Sequence, residues 1–198
     1  MSENLSKIAQ KYFISGNFDK ALELYEKLDM PLEIAYCEIY LGHLPRARKF
    51  IEQLNGSSPA EEWIVSFLQM IDANLVDMPS FLQIRNFFEI DLNNLFLCAN
   101  REWIENVINY VPSLATINSE VYKLAARVLK NNGQEDLAKL FLEKSLDIYF
   151  QDSETHFMLA EIYMHKGNQE KAKKHLEYAC EQEPYFPAEK LLEQLIEK

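Results

Sequence analysis

The stretch GNFDKALELYEKL, Gly16 to Leu28, returns near the other end of the chain as GNQEKAKKHLEYA, Gly167 to Ala179. Both open on Gly-Asn, pass through an acid and a lysine, and reach an Ala five residues after the glycine. Read outward from that glycine, the scheme recurs. Gly133 stands 34 residues before Gly167, and Ala138 and Ala172 follow at the same offset. Seven positions upstream each glycine has a small residue, Ala126 and Ala160. Gly16 is flanked in the same way by Ala9 and Ala21, and Gly42 by Ala35 and Ala47. Such a unit is two helices that touch where Ala faces Ala, joined by a tight turn at the glycine. Larger residues then fill the space between neighbouring pairs. Asn17 and Asn168 stand where they would cap the second helix.

The scheme resembles the tetratricopeptide repeat. Its best match is His156-x2-Leu159-Ala160-x2-Tyr163, followed by Ala172-x3-Leu176 and Pro184. The first unit reads Leu5-x2-Ile8-Ala9-x2-Tyr12, then Ala21-x3-Tyr25; the family's Trp is absent from both. The resemblance implies an all-α fold, a right-handed α-solenoid of about six helix–turn–helix pairs with a C-terminal capping helix. One domain over residues 1–198 is expected. It comprises two short repeats (1–55), a degenerate acidic middle (56–117), two well-matched repeats (118–184) and a cap (185–198).

Helix boundaries are written in capping chemistry. Ser58-Pro59-Ala60-Glu61 and Ser80-x-x-Gln83 are capping boxes, and Asn118-Ser119 and Asp152-Ser153 open later helices. Met30-Pro31 and Leu44-Pro45 mark two more starts, and Glu135 and Asp136 suit a first turn. At the end, Ala188, Leu191, Leu192, Leu195 and Ile196 form one apolar stripe, the inner face of the cap. In the middle, Ala99 lies 34 residues before Gly133 and takes the glycine's place, with Ile104 for the Ala. A further unit then turns near Leu75 to Met78. Residues 79–99 either break near Phe88 to Asp91, keeping helices paired, or run as one long helix with the pairing out of step.

Composition narrows the function classes. The chain has 198 residues and a net charge of −11, which disfavours nucleic acid and anionic membrane as partners. No apolar run approaches a membrane span, and MSENLSKIAQKYF lacks the apolar core of a signal peptide. Cys37, Cys98 and Cys180 are widely spaced, odd in number and free of C-x-x-C spacing. They read as reduced thiols of a cytoplasmic protein. No phosphate-binding glycine loop or nucleophile elbow is present. His156, His165 and His175 lack metal-site spacing, and Glu61-Glu62 is explained by a helix first turn. The expectation is a protein without enzymatic activity, metal or cofactor.

Two features carry binding chemistry. Residues 51–100 hold seven acids (Glu52, Glu61, Glu62, Asp72, Asp77, Glu89, Asp91) against Arg85 alone. Trp63, Phe67, Phe81, Phe87, Phe88 and Phe96 lie among them. They are a surface for a basic segment, or a core with a solvated acidic face. The second feature is a basic stripe, Lys123, Arg127 and Lys130 at i, i+4 and i+7. The family resemblance implies that first helices line the concave groove. It places this stripe there with Phe157, Glu161 and Met164, and with Gln10, Tyr36 and Tyr40 further along. The stripe would take a partner's carboxylates, or pair with acids such as Glu120. The clamp by which some family members grip a C-terminal carboxylate is missing, since Arg127 and Met158 stand where it needs Asn. The expected function is a noncatalytic adaptor or scaffold that binds a peptide or partner protein. The alternatives are a homodimeric structural module and the regulatory subunit of an enzyme.

Overall fold

The four glycine joints are made the same way. At Gly16 the backbone turns left-handed (φ 73°), and the N–H of Asn17 reaches back to the Tyr12 carbonyl at 2.8 Å. The same reach-back bond, also 2.8 Å, runs from His43 to Glu38, Gln134 to Leu129 and Asn168 to Tyr163. This closure satisfies the last carbonyls of one helix and aims the next helix back along it. Glycine is required at residue 16 on two counts. A side chain would strain the positive φ, and an added Cβ would meet Leu97 Cδ1 at 3.3 Å.

The computed structural model describes residues 2–181 and 186–196. Among them are thirteen helices and no strand. The chain divides into two compact units, Met1–Tyr110 and Val111–Lys198. The first holds α1 (Ser2–Ile14), α2 (Phe18–Leu28), α3 (Pro31–Tyr40), α4 (Leu44–Ile51), α5 (Pro59–Ile71), α6 (Phe81–Leu97) and α7 (Arg101–Asn109). The second holds the short α8 (Val111–Leu114), α9 (Val121–Asn131), α10 (Glu135–Ile148), α11 (Ser153–His165), α12 (Gln169–Glu181) and α13 (Phe186–Ile196).

The pairs α1–α2, α3–α4, α9–α10 and α11–α12 form as the alanine spacing predicts. Ala9, Ala21, Ala35, Ala47, Ala126, Ala138, Ala160 and Ala172 are all at 0% exposure. Helix α13 covers α12 through buried Ala188, with Leu191, Leu192 and Leu195 packed alongside. Pro184 and the side chain of Ile196 lie outside the described residues, as does the expected boundary at 184–185. The caps also form. Ser58 Oγ accepts from the Glu61 amide, and Ser80 and Gln83 complete a reciprocal capping box. Asn168 accepts from the Lys171 amide at 3.1 Å, but Asn17 makes no side-chain cap bond. Its ψ of 66°, against 153° at Ser58, is far from the extended backbone that points a cap at the helix amides. Asn118 accepts from the Glu120 amide two residues on, so α9 opens at Val121.

The middle follows the long-helix alternative. Helix α6 runs unbroken for 17 residues, with no Gly or Pro in it, and buries Ile84, Phe88, Leu92 and Leu95 along one face. It packs with α5 and α7 as a group of three, so pairing is out of step there. Ala99 does replace the turn glycine, at φ 53°. The two contact positions around it hold Leu92 and Ile104 instead of alanines, and that bulk removes the close Ala–Ala approach. The chain leaves α5 through Ala73 (φ 55°), slightly before the expected turn.

Ala99→Gly relieves a left-handed alanine and should raise stability by about 0.5 to 1 kcal/mol. Gly16→Ala should lower it by about 1 kcal/mol or more, through φ and Leu97 together. Urea unfolding followed by circular dichroism measures both.

Candidate functional site

The basic stripe finds its acids inside the chain. Lys123 Nζ lies 2.6 Å from Asp152 Oδ2 and 3.4 Å from Glu154 Oε2. Arg127 meets Glu154 at 2.6 Å, and Lys130 meets Glu161 at 2.5 Å. The partners are the N-cap and one face of α11, the first helix of the next pair, and not Glu120. Asp152 serves two ends at once, because its Oδ1 accepts from the Thr155 amide at 2.9 Å. Burial raises its carboxyl, but Lys123 and the Thr155 amide outweigh that and hold it below the ordinary range. Burial likewise lowers Lys123, and its acids outweigh this and raise it. Phe157 packs against the cluster of Ala160, Leu176, Ala179 and Ala188 under α12 and α13. Met164 is half-buried, and Met158 is in the core. In the second unit, charges expected for a partner therefore join successive repeats.

In the first unit the sequence-predicted residues converge on open space. Gln10 and Tyr36 line a cavity of about 530 Å³ with Phe13 and Ile14 of α1, Glu33 of α3, and Phe87, Ile90 and Asp91 of α6. Tyr40 lies beneath it, 4% exposed, and donates to Asp91 Oδ1 at 2.7 Å. Trp63 Nε1 donates to Asp91 Oδ2 at 2.5 Å, and the Tyr36 hydroxyl is a third donor to the same carboxylate. All three donors are neutral. Burial pushes the Asp91 carboxyl up to about 6, and the three hydrogen bonds offset only part of that. Ile14 and Ile90, 70% and 57% exposed, form an apolar rim.

Glu33 was not among the expected residues, and Asp91 and Trp63 were named only within the acidic, aromatic middle and not in the groove. The available signal was local. Asp91 falls seven residues after Ile84 and three after Phe88, on the apolar face of its helix. As for the other acids and aromatics of residues 51–100, Trp63, Phe67 and Phe88 are core. Phe81 is 44% exposed, and Glu52, Glu62, Asp72 and Asp77 face solvent.

The histidines separate. His156 Nε2 donates to the Phe150 carbonyl at 2.7 Å, which leaves its Nδ1 to accept from His175 Nδ1 at 2.9 Å. Burial lowers both, and the neighbouring His156 helps take His175 down to about 4. His165 pairs instead with Glu135 at 2.6 Å. Among the described residues no group of three or more His, Cys, Asp or Glu is placed to hold a metal ion. The three cysteines are free thiols, with Cys37 pushed up to about 12 and Cys98 to about 11 by burial. No helix among the described residues is long and apolar enough to cross a membrane.

Urea unfolding of three sets of variants checks these sites. The raised Asp91 carboxyl binds its proton more tightly in the folded protein than in the unfolded chain. Its contribution favours folding at low pH and is lost as pH rises through about 6. Stability relative to Asp91→Asn should therefore fall between about pH 4 and 7, by on the order of 2 to 3 kcal/mol. Asp91→Leu, which strands the Trp63 and Tyr40 donors, should cost about 2 kcal/mol or more. In the second unit, Asp152→Ala removes cap and ion pair and should cost about 1 to 2 kcal/mol, whereas Asp152→Asn keeps the cap and should cost about half of that.

Comparison with known proteins finds a likeness over part of the chain. Two adjoining segments, residues 119–152 and 153–186, each match a family model described as tetratricopeptide repeat. Among solved structures, one similar chain is a thermophilic TPR protein of Thermus thermophilus. It is 16% identical, with a TM-score of 0.41 and all of both chains covered. No curated protein matches the chain. Repeats of this kind generally mediate protein–protein interaction. Both matches fall on helix pairs that have the glycine joint and the buried alanines, α9–α10 and α11–α12, so residues 119–186 resemble two tetratricopeptide repeats in tandem.

Proposed function

We propose that the protein is a noncatalytic adaptor that holds a peptide or partner protein, with the cavity of the first unit as its contact site. One observation carries this reading. A cavity of about 530 Å³, a volume in the range of ligand sites, opens on the first helices α1 and α3 and on α6. It gathers the groove residues Gln10 and Tyr36 under an exposed apolar rim. The stripe Lys123, Arg127 and Lys130 has a different role, stitching α9 to α11; its ion pairs support that assignment. A cytoplasmic setting suits three unpaired thiols.

A homodimer is the second reading, favoured by a specific surface. Leu82, Ile90 and Leu97 are each more than half exposed along one face of α6.

The test is affinity capture from the native host with wild type and with Ile14→Asn/Ile90→Asn, both positions being exposed enough to spare the fold. Proteins held by the wild type should be lost by the double variant. Equal recovery removes the cavity as the contact site. Sedimentation across a wide concentration range separates the dimer, which self-associates through α6, from the adaptor, which stays a monomer.

A further inference from the structure

The cavity of the first unit is charged as well as apolar, and its charge has no counterpart. Its lining contains Glu33 and Asp91 but no Lys, Arg or His. Among the described residues neither carboxylate has an ion-pair partner. Asp91 is met by three neutral donors, while a carboxylate offers about four acceptor positions. Burial raises the carboxyls of both Glu33 and Asp91, as expected of acids desolvated without a counter-cation. Other buried acids are compensated. Glu38, at 0% side-chain exposure, faces Arg46 at 2.9 Å and His43 at 2.8 Å, and half-buried Asp152 faces Lys123.

Around the two carboxylates stand aromatic faces. Phe13 and Tyr36 meet edge-to-face with ring centroids 6.3 Å apart, and Phe87 leans on Trp63 at 6.2 Å. An ammonium or guanidinium among such rings gains cation–π attraction as well as its ion pair. The long aliphatic stem of Lys or Arg suits a passage past Ile14 and Ile90, its charged head reaching the floor.

We propose that this cavity receives the basic side chain, Lys or Arg, of an apolar-flanked segment of a partner protein, with Glu33 and Asp91 as its counter-charges. The proposal rests on the adaptor reading above and names the chemistry of the partner. It requires no covalent step and no movement of the helices.

The test is selection of a random peptide library displayed on phage against the immobilised full chain. Enriched peptides are then resynthesised and titrated by fluorescence anisotropy. The expected result is enrichment of Lys or Arg beside aliphatic residues. Replacing that basic residue by norleucine should weaken binding about tenfold, and Glu33→Gln should do the same. Glu33 is at the cavity edge, and thermal melts of Glu33→Gln and of Asp91→Asn check that each variant is folded. Enriched peptides without a basic residue, lost on Ile14→Asn/Ile90→Asn, would overturn the cationic assignment and leave the adaptor reading standing. Peptides indifferent to every cavity substitution would place the contact elsewhere and overturn both. No enrichment at all would also overturn both.

Discussion

Close contact between alanines, held by a left-handed turn, is the constraint from which the rest of this structure follows. Two helices approach to the limit of their backbones only where neither carries more than a methyl group. They stay antiparallel only if the chain reverses without adding length. The reach-back hydrogen bond after each joint glycine supplies that reversal, and the alanines at the fixed offsets are fully buried where the paired helices pack. Everything larger is then displaced to the spaces between pairs, where Tyr25, Ile34 and Cys37 pack against Ala9 and Ala21.

Where the constraint lapses, the architecture changes with it. Around Ala99 the alanine positions hold Leu92 and Ile104, and α6 is long. Three helices share a core in place of two pairs. That departure is what positions the candidate site. An unbroken α6 brings Phe87, Ile90 and Asp91 against α1 and α3, and the Leu97 side chain against Gly16. A break near Phe88 to Asp91 would have removed the helical backbone that holds Asp91 under Tyr40 and Trp63.

The basic stripe of the second unit and Asp91 of the first treat charge in opposite ways. In the second, Lys123, Arg127 and Lys130 are each answered by an acid of the following repeat, which fixes neighbouring helices to one another. In the first, Asp91 is buried among neutral donors, at an energetic cost expressed in its raised pKa. A satisfied ladder is cohesive, whereas an acid stabilised only by neutral hydrogen bonds still attracts a cation. This contrast makes the first unit the better place to seek a partner.

The joints, the paired alanines and most caps were legible in the sequence because they depend on residues within one helix pair. Glycine at the turn, alanine at fixed offsets, and Ser58, Ser80 and Asp152 before their helices act over short separations that spacing records. The charged stripe was legible too, but not its partners, since Asp152, Glu154 and Glu161 reach it only when α11 packs beside α9. Gln10 and Tyr36 were named from repeat geometry. Their meeting with Asp91, some eighty residues away from Gln10 in the chain, was decided by tertiary packing. Local periodicity specifies which face of a helix is apolar. Only the packed structure specifies which acid on that face ends up out of water, and which groups remain to neutralise it.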